Sequence, residues 1–412
     1  MLSVPTLSAA RSVRVALLAL LGLSAGLLGS GCDGPAHYDR LSTLNYFAYV
    51  ANAKDNTVSQ YRITDSGALT PLSPPTVPVG SYPAGIATVN GHQPSQTIAA
   101  VYIINQRDNS VSQFRTDPTG LLVPLQPPTL PTGKLPGAIL ADISYLFVAN
   151  SGDNTLTVYD RDLFTGKLTY KTVLPTGHGP SSILVHSLAH TTNEVVYVTN
   201  RQDGTISQYL IDSSTGAISS VTPATVATGP FPTALFSPAN SSTSTGGITA
   251  VLGGGSGAGS LSLYTAPGPN GAISLAPSPN TLPAGAGASA VAENAFSAVV
   301  VNTLDNTISL YDVDPFTSSI TPLVGTTSLR VGVSPSAVSF SPRVGGASVD
   351  HLYVTNAGDN TVSQFQFQFT PKMFSPIVSS AVPTGNFPLA IATLVVDTNK
   401  QSGSGDINAT IK

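Results

Sequence analysis

Short runs in which apolar and polar residues alternate recur along most of this 412-residue chain, and they predict β-strands. One group of four runs is clear near the C-terminal end. Residues 336–340 alternate small and apolar side chains. Residues 351–355 form a run typical of a buried strand, and residues 361–365 alternate strictly between polar and apolar side chains. A weaker run over roughly residues 377–382 completes the group. Each such group predicts a small antiparallel sheet of four strands.

A polar motif separates the second and third strands of each group. It reads N-x-x-D-[NG]-[TS]-[VIL]-[ST]-x-[YF], and it predicts a tight turn because Asn and Asp tolerate a left-handed backbone. A repeat of about 50 residues that carries strand signals is typical of a propeller or another repeat array. Six copies begin at Asn52, Asn105, Asn150, Asn200, Asn302 and Asn356, and a degenerate seventh has Gly255 in the Asn position.

A second motif, Gly followed by two variable residues and Pro, joins the fourth strand of one group to the first strand of the next. Its Gly permits a turn of either hand, and its Pro can begin a strand because it need not donate to the ladder. The copies are Gly80/Pro83, Gly133/Pro136, Gly177/Pro180, Gly229/Pro232, Gly332/Pro335 and Gly385/Pro388, with Gly285/Ala288 as a copy that lacks the Pro.

The two ends of this array complement each other. The first N-x-x-D motif has no G-x-x-P strand before it, and the last G-x-x-P strand has no N-x-x-D motif after it. We therefore predict an all-β, seven-bladed β-propeller of four-stranded antiparallel blades, closed when residues 387–396 pair with the strand that holds residues 47–51. An open β-solenoid is the alternative, but repeats of about 50 residues are long for one, and it would not explain the matched ends.

Composition limits the partners that we expect. Charged residues make up only 9% of the chain, the formal net charge is −4, and basic residues form no cluster, so we expect no nucleic-acid partner. Walker, dinucleotide, H-E-x-x-H and G-x-S-x-G motifs are absent from the sequence, and we expect no cofactor. The repeated aspartates suggest calcium at first sight. However, one per blade cannot supply the roughly six to eight ligands that calcium takes, so we assign them to turn capping and expect no metal.

The N-terminal end of the chain predicts a secretory signal. Arg11 and Arg14 precede an apolar stretch at residues 15–28, which is too short for a membrane span, and Cys32 is the single cysteine of the sequence. The arrangement resembles the lipobox of bacterial lipoproteins, although Gly29 stands where that motif usually has an aliphatic residue. The resemblance implies lipidation of Cys32. Ordinary signal cleavage beside an incidental cysteine is the alternative.

The chain therefore divides into a signal peptide at residues 1–31, a linker at 32–44, the propeller at 45–397 and a disordered tail at 398–412. We expect a bacterial cell-envelope protein, on the periplasmic or the outer surface. It would be held at the membrane only through its lipid anchor. We expect it to be a monomer.

Residues 197–200 and 353–356 read YVTN, and residues 49–52 and 147–150 are close variants. With the D-N-T-[VI]-S and G-x-x-P motifs, they resemble the YVTN-repeat propellers and the related seven-bladed lactonase family over about residues 45–397. That family includes 6-phosphogluconolactonase-like and carboxymuconate-cyclase-like enzymes, and also surface or periplasmic proteins without assigned chemistry. The resemblance implies a propeller fold and leaves both binding and hydrolysis open.

The G-x-x-P loops are expected to surround one mouth of the central channel, where their variable residues could form a small-molecule pocket. Four of these residues have side chains suited to ligand binding, namely Tyr82, Phe231, Asn386 and Phe387. The alternative is that the loops only space the blades.

His178 is the one histidine in a G-x-x-P loop, and it is the candidate general base for water that attacks a lactone carbonyl. Lys134 could stabilise the resulting oxyanion. However, no acidic residue in these loops can pair with His178. The lactonases that the chain resembles usually carry a His directly after the loop Pro. Here those positions hold Ala84, Gly137, Ser181, Thr233, Ser289, Ser336 and Leu389.

His178 could instead be a polar surface residue without a catalytic role. The leading hypothesis is therefore a binding or scaffold module of the cell envelope, with an unknown small molecule or envelope protein as its partner. The alternative is a lactone hydrolase similar to 6-phosphogluconolactonase, with its site at the channel mouth.

Overall fold

The computed structural model describes residues 44–397 apart from 91–97, 189–190, 238–249, 254–256, 266, 315–316, 318, 326 and 342–348. The predicted signal peptide, the Cys32 lipidation site and the predicted tail lie outside the described residues. Within them, every regular element is a β-strand. No apolar helix of membrane-spanning length occurs in this part of the chain.

The strands follow one another along the chain and are numbered in that order. They are β1 (Leu44–Asn52), β2 (Thr57–Ile63), β3 (Leu69–Pro78), β4 (Pro83–Val89), β5 (Ala100–Asn105), β6 (Ser110–Thr116), β7 (Leu122–Pro131), β8 (Pro136–Ala141), β9 (Tyr145–Asn150), β10 (Thr155–Arg161), β11 (Leu168–Pro175), β12 (Pro180–Ser187), β13 (Glu194–Asn200), β14 (Thr205–Ile211), β15 (Ile218–Ala227), β16 (Pro232–Phe236), β17 (Ala250–Gly253), β18 (Ala258–Leu263), β19 (Thr281–Ala286), β20 (Ala288–Asn294), β21 (Ser297–Asn302), β22 (Thr307–Val313), β23 (Ile320–Pro322), β24 (Ser328–Arg330), β25 (Pro335–Phe340), β26 (Val349–Asn356), β27 (Thr361–Phe369), β28 (Lys372–Pro383) and β29 (Pro388–Asp397).

The described strands form seven antiparallel sheets, which we call blades 1 to 7. Successive innermost strands contact one another, and β29 contacts both β25 and β4, so they close a ring around a central channel. The predicted all-β propeller is therefore confirmed. From the innermost strand outwards, the blades are β29-β1-β2-β3, β4–β7, β8–β11, β12–β15, β16–β19, β20–β24 and β25–β28.

Blade 6 departs from the predicted four strands. Its outermost strand is divided into β23 and β24, and both pieces pair with β22. Leu310 of β22 holds the two sides of the break, because its N–H donates to Thr327 O and its carbonyl accepts from Leu323 N–H. Pro322 cannot donate to a ladder, and Gly325 takes a φ of 92° that interrupts a strand. The expectation of four strands is thus wrong for this blade.

The two ends of the described chain meet in blade 1. Strand β29 pairs with β1 in antiparallel register, with Ile391 opposite Val50 and Thr393 opposite Ala48. This pairing confirms the closure that the matched ends of the repeat array predict. It covers the inner edge of β1, which an open array would expose.

Apolar clusters fill the spaces between neighbouring blades. Phe47 and Tyr49 of blade 1, for example, pack against Val101 and Ile103 of blade 2, and all four side chains are buried. A fully buried side chain of this size stabilises the fold by about 1.5–3 kcal/mol. The clusters hold the blades in a fixed relation and thereby fix the loops around the channel.

The first Asn of each complete N-x-x-D motif is buried, and its side-chain NH2 group is bonded within its own blade. In blade 4, Asn200 Nδ2 donates to Thr205 Oγ1 and to Ser207 Oγ, both at 2.9 Å. The same pair of bonds recurs in every complete copy of the motif. The Thr and Ser of the motif are therefore fold-determining, because they satisfy a buried amide that would otherwise be costly.

Candidate functional site

The aspartate of each N-x-x-D motif holds the G-x-x-P loop that leads into its own blade. Its carboxylate accepts the backbone N–H of the first variable residue of that loop, at 2.5 to 2.7 Å. The aspartates thus cap a neighbouring loop, whereas the sequence suggested that they cap their own turn. The pairs are Ser81–Asp108, Lys134–Asp153, His178–Asp203, Ala286–Asp305, Val333–Asp359 and Asn386–Asp55.

The residue after that aspartate ties the same loops to the preceding blade. Asn56 has a left-handed backbone with φ 55°, and its Oδ1 accepts the N–H of Tyr82, the second variable residue of the next loop, at 2.8 Å. Four further blades repeat this bond at 2.7 to 2.9 Å. Each of these loops is therefore held by two blades through side chains of the repeated motif. Among the described residues, no group of three His, Cys, Asp or Glu could hold a metal ion.

Two of the predicted ligand-binding residues lie beneath cations. The Arg107 guanidinium carbon is 4.5 Å from the centre of the Tyr82 ring, and Lys54 Nζ is 4.5 Å from the centre of the Phe387 ring. Such contacts contribute about 0.5–1 kcal/mol at exposed sites. One face of each ring is therefore already covered by a side chain of this protein.

The other two predicted ligand-binding residues lie in separate loops. Asn386 follows blade 7, and its Nδ2 donates to Asp55 Oδ1 of blade 1 at 2.8 Å. Phe231 lies between blades 4 and 5 and is 51% exposed. The structure thus places Asn386 beside the seam where the ring closes and Phe231 in a different part of the ring.

Lys134 leads into blade 3 and projects into solvent. Its side chain is 75% exposed, and its Nζ lies 3.9 Å from Asp153 Oδ1. His178 leads into blade 4, one loop further round the ring. No hydrogen bond or ion pair joins Lys134 to His178 in the part of the chain that the structure describes.

His178 has an acidic partner that the loop sequences do not reveal. Its Nδ1 lies 2.8 Å from Asp203 Oδ1 and 3.1 Å from Oδ2, and its backbone N–H donates to the same carboxylate. The His178 backbone N–H and then its side chain lower the pKa of Asp203. With the ring proton on Nδ1, Nε2 remains a hydrogen-bond acceptor on an exposed side chain.

The acidic partner of His178 therefore lies outside the G-x-x-P loops, which contain no acidic residue. The partner comes from the N-x-x-D turn of blade 4, which is 25 residues further along the chain. The repeat itself carries the signal, because the aspartate of each complete copy reaches the first variable residue of a loop. In blade 4 that residue is the histidine.

A cavity of about 550 Å³ opens at this end of the channel, between blades 4, 5 and 6. Its wall contains Ser181 and Thr233, which directly follow the loop prolines, and Ser289, which follows Ala288 in the copy that lacks the Pro. Gly287 is the one variable-pair residue among the lining residues. Neither His178 nor Lys134 belongs to the wall. The lining residues are Ser181, Arg201, Thr233, Gly287, Ala288, Ser289, Thr303 and Leu304.

Three hydroxyl groups of this wall donate to the main chain of the next blade, and Ser289 Oγ lies 2.8 Å from Thr303 Oγ1. Ser181 Oγ donates to Pro232 O at 2.9 Å, and Thr233 Oγ1 donates to Ala288 O at 3.0 Å. Thr303 Oγ1 likewise donates to Pro335 O at 2.8 Å. Their remaining lone pairs can accept hydrogen bonds from a ligand.

Arg201 is the charged residue of the wall. Its side chain is exposed, and its backbone N–H donates to Gly179 O at 2.9 Å, which sets it beside the His178 loop. The lining residues include no carboxylate and no imidazole that could take a proton from a hydroxyl. The lining can therefore bind a polar anion, and the His178–Asp203 pair is not part of it.

Comparisons with known proteins agree with this fold. The model of the family described as Lactonase, 7-bladed beta-propeller matches residues 33–233, slightly less than half of the 412-residue chain. No curated protein matches the chain. Seven described sheets are consistent with the seven blades of that family description.

Solved structures from several bacteria share the fold at low identity. A provisionally named 6-phosphogluconolactonase from Bacteroides fragilis is 16% identical with a TM-score of 0.66, and the match covers 87% of this chain and 99% of that chain. One from Bacteroides uniformis is 15% identical with a TM-score of 0.66, and the match covers 85% and 99%. A periplasmic gluconolactonase from Pseudomonas aeruginosa is 18% identical with a TM-score of 0.64, and the match covers 85% and 99%. This chain thus shares the β-propeller fold of these proteins.

Proposed function

We propose that this chain is an exported, lipid-anchored β-propeller that binds a small polar anion at the channel mouth. The cavity between blades 4 and 6 carries the proposal, because it combines the exposed guanidinium of Arg201 with the free lone pairs of several hydroxyl groups. Guanidinium groups pair well with carboxylate and phosphate, and hydroxyl oxygens accept from the hydroxyl groups of a ligand. A polyhydroxylated acid fits both features.

The location follows from the sequence. A basic n-region, an apolar stretch and Cys32 at its end favour export and acylation. Labelled palmitate should enter the wild-type protein, and Cys32→Ser should release it into the soluble fraction. Wild-type protein that remains soluble and unlabelled would contradict the anchor without touching the ligand site.

Binding is tested by calorimetry with a panel of sugar acids and their neutral parent sugars. We expect the acids to bind and Arg201→Gln to weaken them, because it removes the charge while keeping a polar side chain. Arg107→Gln is the matched control, since Arg107 stacks on Tyr82 outside the cavity wall. Equal affinity for acids and neutral sugars, or equal loss in both variants, would argue against the site.

Lactone hydrolysis is the second candidate, and the His178–Asp203 pair is the observation that favours it. In that reaction His178 Nε2 takes a proton from water, and the water oxygen attacks the lactone carbonyl. The ring C–O bond then breaks, and the leaving oxygen receives the proton from His178. Lys134, in the preceding loop, would stabilise the oxyanion. The lactonase-like fold supports this candidate without assigning a substrate.

Hydrolysis is tested with a panel of sugar lactones, including a 6-phosphorylated one. We expect His178→Ala to abolish turnover and Asp203→Asn to reduce it, because the amide no longer favours the tautomer with Nε2 free. Asp359→Asn is the control, since it makes the same change in a loop without histidine. Activity that survives His178→Ala would remove this candidate, whereas ligand binding without turnover would support the first proposal.

A further inference from the structure

The outermost strand of blade 3, β11, differs from the outermost strands of blades 1, 2, 4 and 7. In those blades the strand loops out of the sheet near its middle. In blade 1, for example, Tyr61 pairs with Pro71 and Ser59 with Thr76, so four residues of β3 lie opposite Gln60 alone. The same interruption recurs at the equivalent positions of β7, β15 and β28.

Strand β11 is nearly regular. Tyr159 pairs with Tyr170 and Val158 with Thr172, so only Lys171 is extra. The cause is visible on β10, where Val158 replaces the glutamine of blades 1, 2, 4 and 7 and is fully buried. Those glutamines donate from Nε2 to a proline carbonyl of the looped segment, in the pairs Gln60–Pro74, Gln113–Pro127 and Gln208–Pro223.

Proline also protects the other edges. The residue equivalent to Tyr170 is a proline in four blades, as the pairs Tyr61–Pro71, Phe114–Pro124, Tyr311–Pro322 and Phe365–Pro376 show. A proline is compatible with an outer strand where its missing N–H would face away from the sheet. The Tyr170 N–H therefore faces outward, and β11 has no proline before its last residue, Pro175. An edge of this kind is open to pairing with another strand.

Apolar side chains accompany this open edge. Tyr170 is 58% exposed and Val173 is 43% exposed, and both line one shallow groove beside blade 2, so they share a face of β11. Phe164 and Ile143, also in blade 3, are each 64% exposed. Lys171 is paired with Asp160 at 3.1 Å, so its charge is already compensated at the edge.

We propose that β11 is a dimerisation edge on which a second copy of this chain pairs antiparallel through its own β11. A two-fold axis between Lys171 and Thr172 places Tyr170 of each copy opposite Val173 of the other. Aromatic and β-branched residues form favourable cross-strand pairs, and the two-fold symmetry produces two such Tyr170–Val173 pairs. This self-complementarity favours a second copy as the occupant. The proposal replaces the expected monomer and is independent of any ligand at the channel mouth.

The test is the sedimentation of the purified full chain in detergent over a range of concentrations. We expect wild type to form a dimer and Tyr170→Pro to be a monomer with an unchanged melting temperature, because blades 1, 2, 6 and 7 carry proline at this position. Ser220→Pro is the matched control, since Ser220 is the equivalent residue of blade 4 and pairs with Tyr209. We expect this control to dimerise like wild type.

A wild-type chain that stays monomeric at all concentrations would overturn the proposal. So would a Tyr170→Pro dimer, a Ser220→Pro chain that dissociates equally, or a different protein bound at β11. If Tyr170→Pro lowers the melting temperature, Tyr170→Ser decides the matter, because it copies the serine of blade 4 and keeps the N–H. We expect that variant to weaken dimerisation about tenfold through the loss of two side-chain pairs. An unchanged dissociation constant would contradict the proposal.

Discussion

Asn386 donates from Nδ2 to Asp55 Oδ1 at 2.8 Å, and these two residues are 331 positions apart in the chain. The Asn386 backbone N–H donates to the same carboxylate at 2.7 Å. In other blades the equivalent bond joins neighbouring parts of the sequence. At the seam it joins the two ends of the described chain. The seam therefore uses the same chemistry as the loops that lead into blades 2, 3, 4, 6 and 7.

Truncation tests this seam. A chain that ends at Asp397 should keep its melting temperature, because it retains the whole of β29. A chain that ends before Asn386 should aggregate or lose much of its thermal stability, since blade 1 then exposes the unpaired edge of β1. Light scattering and thermal unfolding measure both outcomes. A shorter chain that does not aggregate and keeps an unchanged melting temperature would contradict the closed ring.

The Asn and the Asp of the N-x-x-D motif should contribute differently to the free energy of unfolding. Asn200→Ala leaves the hydroxyls of Thr205 and Ser207 without their buried donor, and we expect it to lower the free energy of unfolding by about 1–3 kcal/mol. Asp203→Ala removes an exposed acceptor and should cost less. Denaturant titration of both variants checks the order, and an equal or larger loss for Asp203→Ala would contradict it.

Inter-blade hydrogen bonds should contribute measurably to stability. Tyr197 OH donates to Gly271 O of blade 5 at 2.6 Å within the core. Tyr197→Phe should therefore lower the free energy of unfolding by about 0.5–1.5 kcal/mol. Tyr170→Phe is the control because Tyr170 is exposed, and it should leave stability unchanged. Equal stability of all three proteins would show that this hydrogen bond has no net effect.

Stability should fall as the pH rises through the neutral range. Burial raises the pKa of Glu293 to about 8 from 4.5, with partial compensation by the Ser237 N–H, and its Oε2 has no described hydrogen-bond partner. The folded state therefore keeps a proton that the unfolded chain releases. The resulting stability is fully present below about pH 4.5 and is lost progressively up to about pH 8. Glu194, whose pKa burial beside Asp142 raises to about 7, acts in the same direction.

Glu293→Gln isolates the first of these groups. Glutamine resembles the protonated acid in shape, so the variant should match wild type near about pH 5 and exceed its stability near about pH 8. Denaturant titration at several pH values measures this difference. A variant whose stability follows the wild-type pH dependence would show that Glu293 is not responsible.

The strands, the turns and the closure could all be predicted from the sequence, because each depends on local alternation or on a motif repeated at a fixed interval. The partner of His178 could not be found within its own loop, since Asp203 belongs to the next turn of the blade. The cavity wall lies mainly past the predicted positions, because Ser181 and Thr233, which follow the loop prolines, face the space between blades. The regular edge of blade 3 depends on Val158, whose effect appears only once the neighbouring strand is in place.

The pairing of β29 with β1 has a consequence for how the protein is made. Residues near Ala48 leave the ribosome first, but their innermost neighbour near Thr393 is synthesised almost last. Contacts so distant in sequence form slowly, and incomplete blades expose strands that can aggregate. The chain must therefore be kept from folding prematurely until nearly all of it has been synthesised and, on the export route proposed above, has crossed the membrane.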